Sequence, residues 1–96
     1  MENALADAEA RVTMVKSMRS KGNPRALAQA VRARRKVLGV TQIELARLAG
    51  CGPVFVYALE SGKKTLRLDK LLDVLEVLGL ELVIGVGKGG IRSAVK

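Results

Sequence analysis

The chain has 96 residues, room for one small domain and a short extension. Lys plus Arg is 17 against 9 for Asp plus Glu, so the formal charge is +8 and a polyanion such as DNA is the favoured partner. The composition also excludes much. There is no histidine to act as general base or metal ligand, and the lone Cys51 cannot close an intramolecular disulfide.

Phe55 and Tyr57 are the only aromatic residues, so Leu, Val and Ala must fill the interior, which suits a helical bundle. No apolar run approaches membrane-spanning length and the start carries no signal-peptide pattern, so the expected compartment is the cytoplasm. No phosphate-binding glycine loop, metal cluster or catalytic constellation stands in the sequence. The expectation is a protein that is not an enzyme and takes no cofactor or metal.

Residues 1–24 read as an N-terminal extension, and 1–20 can form a helix with a loose apolar face at Ala4, Leu5, Ala8, Val12, Val15 and Met18. Ser20 to Pro24 punctuates the chain, with Asn23 placed to cap a new helix and Pro24 to open it. A domain is expected over 25–80. Its first helix, 25–38, carries Leu27, Val31 and Leu38 on one side and the basic group Arg32, Arg34, Arg35 and Lys36. The stem of Arg34 is placed to cover core while its head reaches water.

Thr41 to Ser61 is the organising stretch. Thr41 and Glu44 form a capping-box pattern, and Ile43, Leu45, Ala46, Leu48 and Ala49 supply apolar contacts. Gly50-Cys51-Gly52 breaks the helix, Pro53 opens the next, Val56 and Leu59 give it a core face, and Gly62 stops it. Two short helices with so tight a turn outline a helix-turn-helix, whose second helix enters a major groove.

The candidates for base contact are therefore Gln42, Gly52, Pro53, Val54, Phe55, Tyr57 and Ala58, with Phe55 open between the groove and the core. Tyr57 can make one hydrogen bond, whereas Val54, Phe55 and Ala58 offer only apolar contact, as to a thymine methyl. The candidates for phosphate contact are Thr41, Arg32, Arg35, Lys36, Lys63, Lys64 and Arg67, although a solvated loop or face also explains several of these charges. Glu60 suits a buried bond to a basic residue of another helix.

Beyond the basic loop, 68–78 is the most apolar helix, with Leu68, Leu71, Leu72, Leu75 and Leu78 on a stripe and Gly79 as its cap. The branched residues of Glu81 to Val86 then read as one strand. A lone strand has unpaired edges, so the same strand of a second copy is its expected partner, with Leu80, Leu82, Ile84 and Val86 at the dimer interface. Residues 87–96 read as a flexible basic tail.

The segments TQIELARLAG at Thr41–Gly50, LESGK at Leu59–Lys63 and LDKLLDVLEVLGLEL at Leu68–Leu82 resemble the Cro/C1-type (Xre) helix-turn-helix domain, and more closely the HipB-type antitoxins of bacteria. The likeness covers Leu27 to Leu82. It implies an all-α fold of five helices, four of the core plus the N-terminal one, with a short C-terminal β-strand pairing across a dimer. It also implies a homodimer that binds a palindromic double-stranded DNA operator, represses its own operon and restrains a HipA-type serine/threonine kinase toxin. Gln42 matches the family's DNA-contacting glutamine, and Gly52 to Tyr57 match the turn and base-reading positions. The chain departs from the pattern at Gly52-Pro53-Val54, where polar residues are usual. A stand-alone repressor, and a protein-interaction module with only non-specific DNA binding, are the alternative readings.

Overall fold

The computed structural model describes residues 19–94, with side chains from Pro24 onward. The expected helix within residues 1–20 lies almost wholly outside them. Four helices follow in order: α1 (Arg19–Val37), α2 (Gln42–Ala49), α3 (Pro53–Glu60) and α4 (Leu68–Leu78).

Local chemistry explains the boundaries. At the start of α2 the Thr41 hydroxyl accepts from the Glu44 N–H at 3.1 Å, while the Glu44 carboxylate accepts from the Thr41 N–H at 3.0 Å, closing the capping box. Gly50 ends α2 with φ 72° and ψ 27°, a left-handed conformation that costs a side chain about 1–2 kcal/mol. Its N–H bonds back to the carbonyls of Ala46 and Arg47. Pro53 sits in the first turn of α3, where its missing N–H leaves nothing unsatisfied.

Each helix contributes to one core. Val31 of α1, Leu45 of α2, Val56 and Leu59 of α3, and Val74 and Leu78 of α4 are all but sealed from solvent. The α2 arc that turns inward is narrow. At 3.6 residues per turn, Leu45, Ala49, Gln42 and Ala46 fall within roughly 100°, and Ile43 and Leu48 lie outside it, exposed. Leu68 and Leu72 stand at the edge of the α4 stripe and are exposed too, as is Leu38, because α1 ends one residue earlier. Arg34 does more than snorkel. Its Nε donates to the Leu78 carbonyl at 2.8 Å, satisfying an acceptor that the end of α4 leaves without a helical partner.

Two expectations are corrected. First, α1 begins at Arg19 and runs through Pro24, so Pro24 does not open it. Second, the described residues form a four-helix bundle with no β-strand, which overturns the fold expected with a C-terminal strand pairing across a dimer. Glu81 to Val86 have no regular secondary structure and are exposed. Branched residues favour a pleated backbone only where a neighbouring edge satisfies its N–H and C=O groups, and the bundle presents no such edge.

Candidate nucleic-acid interface

The interface is built around α3. Its inner face is fixed by Val56 and Leu59 in the core and by Glu60 at its end. The Arg35 guanidinium of α1 grips Glu60 with two bonds, Nε to Oε2 at 2.7 Å and Nη2 to Oε1 at 2.9 Å, and a third bond runs from Nη1 to the Val40 carbonyl at 3.0 Å. The two side chains are only 12% and 4% exposed. Hydrogen bonding to the Glu60 carboxylate raises the Arg35 pKa above its ordinary value, against the opposing cost of burial.

From α2, Gln42 Nε2 also donates to Glu60 Oε1, at 3.2 Å. One carboxylate thus ties the start of α2, the end of α3 and the last turns of α1 together. Glu60 has the basic partner that its place in the sequence suggested. The same bonds occupy Arg35, which the sequence offered as a phosphate contact. Gln42 keeps its amide oxygen and a second N–H for a further partner.

The outer face of α3 is different. Val54, Tyr57 and Ala58 lie at i, i+3 and i+4, one stripe on the solvent side. Val54 is 76% exposed and Tyr57 44%. Pro53 and Gly52 continue the stripe into the turn, both exposed. Phe55 resolves toward the interior, half-buried and packed against the core, and Ala58 is half-buried. Among the base-contact candidates, then, Gly52, Pro53, Val54 and Tyr57 share an exposed surface.

The phosphate candidates separate as well. Lys63 and Lys64 are exposed directly after α3, and Arg32 and Lys36 are exposed along α1. Thr41 is committed to its cap. Arg67 makes an exposed pair with Asp69, whose carboxyl is held below its ordinary pKa first by the Arg67 hydrogen bond and then by the Lys70 N–H. Such a pair is weakly held in water and competes little with a phosphate. Arg25 escaped the sequence reading. It lines, with Gln29, Ser61 and Lys64, an open groove of about 650 Å³ between the middle of α1 and the turn after α3. No local signal could have joined positions so far apart in the chain.

Cys51, in the turn, is half-buried against the core, and burial pushes its thiol pKa up. It packs as a small apolar residue there and is a poor nucleophile at neutral pH. Among the described residues no group of His, Cys, Asp and Glu could hold a metal ion, and no helix is long and apolar enough to cross a membrane.

This geometry has known counterparts. A family profile described as Helix-turn-helix (HTH_3) matches residues 31–84, more than half of the chain. The chain belongs to this helix-turn-helix family. A relative from Sinorhizobium fredii (strain NBRC 101917 / NGR234), the uncharacterized HTH-type transcriptional regulator y4mF, is 44% identical over 54 residues, 56% of this chain and 71% of the relative. Two solved structures align over 67% of this helix-turn-helix protein and 90% of their own chains, each with a TM-score of 0.62 and 26% identity. One is described as MDT Protein and the other as a HipA-HipB-O2-O3 complex. A DNA-binding regulator domain is the coarse functional statement that these likenesses and the fold share.

Proposed function

We propose that this chain is a sequence-specific transcriptional repressor that autoregulates its operon and serves as the antitoxin of a HipA-type kinase. The observation that carries the DNA-binding part is the outward stripe of α3, held rigid from behind by the Arg35–Glu60–Gln42 bonds and flanked by the exposed Lys63 and Lys64. The groove floor would receive Val54, Pro53 and Tyr57 while Lys63, Lys64, Arg25, Arg32 and Lys36 meet phosphates. Gln42, at the first position of α2, is placed to bond the backbone beside the groove. The kinase part is supported by the likeness to a chain from a HipA-HipB complex and by the antitoxin-like LDKLLDVLEVLGLEL segment.

A homodimer on a palindromic operator completes the reading, with half-sites centred roughly 34–36 Å apart. The apolar side chains that would meet a second copy are Leu80, Leu82, Ile84 and Val86. Ile84 and Val86 are almost wholly exposed in the single chain, 99% and 100%. A stand-alone regulator is the second reading, and the name of the Sinorhizobium relative favours it.

Binding to the DNA upstream of its own gene, compared with unrelated DNA at two salt concentrations, tests the first part. Preference for the upstream DNA is expected. Equal affinities that collapse together as salt rises would contradict it. Replacing Lys63 and Lys64 by Ala should flatten the slope of log K against log salt by about 2, since each neutralised phosphate contributes roughly 0.9. Co-purification with a kinase encoded beside the gene separates the antitoxin from the stand-alone regulator.

A further inference from the structure

We infer that the outward stripe of α3 reads the C5-methyl group of thymine, with Val54 as the residue that sets this specificity. The inference rests on the proposal that α3 enters a major groove, and it names what is read there.

The helix PVFVYALE has one charged residue, Glu60, and that carboxylate is turned inward onto Arg35 and Gln42. The outer face therefore offers no Arg, Lys, Asn, Gln, Asp or Glu, the side chains that pair with the hydrogen-bonding edges of guanine, adenine and cytosine. What it offers are the branched methyls of Val54, 76% exposed, beside the ring of Pro53 and the half-exposed phenol of Tyr57. The thymine methyl is the one feature of the major groove that an aliphatic group can recognise.

The surroundings suit that occupant. The neutral apolar stripe is followed, just past the end of α3, by the exposed Lys63 and Lys64, which suits a groove floor beside a phosphate wall and fits an apolar protein surface less well. Gly52 helps the approach. A Cβ built there would meet nothing within 4 Å, so the backbone beside Val54 stands clear of other protein.

The test uses the full chain and the duplex that it enriches from a random pool. That duplex is compared with a copy in which deoxyuridine replaces thymidine, removing only the methyl. Affinity should fall about fourfold for each methyl buried. In Val54→Ser, whose site is exposed and outside the core, that uracil penalty should disappear although the protein stays folded. A preferred duplex that binds equally well with uracil would overturn the inference and leave the DNA-binding reading standing. A uracil penalty that persists unchanged in Val54→Ser would also overturn it, since Val54 would not be the reader. If no duplex is enriched, the repressor reading itself fails and this inference with it, leaving the apolar stripe to a protein partner.

Discussion

The two faces of α3 follow different rules although they alternate within eight residues. The inner face is specified many times over. Val56 and Leu59 are sealed in the core, and Glu60 is held by bonds from two other helices. The outer face, with Val54 76% and Tyr57 44% exposed, touches solvent and takes no part in the core cluster. The difference separates what builds the domain from what the domain presents. Changes to the inner face should unfold the protein, and changes to the outer face should alter recognition alone.

The largest effect should come from Glu60→Ala, which leaves the buried Arg35 guanidinium without its carboxylate. A loss of about 3–5 kcal/mol is expected in denaturant unfolding, since removing one partner strands a charge. Replacing Arg35 and Glu60 together by Met and Leu should restore part of that loss, and a double-mutant cycle in the same assay measures the coupling. If Glu60→Ala costs no more than a surface change, the inner face is not held as described. Next comes Gly50→Ala at the turn that sets the angle between α2 and α3. The left-handed backbone should make it cost about 1–2 kcal/mol by thermal unfolding.

A smaller effect is set by pH. The Glu44 carboxyl is held below its ordinary pKa of 4.5, first by the Thr41 N–H and then by the Thr41 hydroxyl. Its contribution is present above the unfolded value and is lost as pH falls through the depressed folded value. Glu44→Gln retains a capping partner but has no proton to take up. The wild type should therefore be the more stable near neutrality, with the two melting temperatures converging in acid. The smallest change in stability is expected on the outer face, where Val54→Ser should shift unfolding by less than about 0.5 kcal/mol.

What the sequence revealed about this molecule was mostly local. Thr41 with Glu44, Gly50, Pro53 and Gly79 marked their helix ends because caps and stops act within a few residues. Leu45, Val56, Leu59 and Leu75 marked the core because burial follows helical spacing. The partners that sequence could not name lie at long separations. Arg34 reaches a carbonyl 44 residues away, and Arg35 reaches Glu60 across 25, so a basic run that looked uniform divides into two structural arginines and exposed neighbours. The Glu81 to Val86 expectation failed for a related reason. Propensity is local, but a strand needs an edge supplied from elsewhere. At the candidate interface, exposure of Val54 and Tyr57 followed from spacing, whereas Phe55 was settled only by packing.

The most direct test of the central claim is an NMR titration of isotope-labelled protein with the enriched duplex. The account predicts amide shifts concentrated from Gly52 to Ala58 and at Lys63 and Lys64, with Val74 and Leu78 in the core of α4 little changed. Shifts that spare the whole of α3 while the duplex is bound would contradict it.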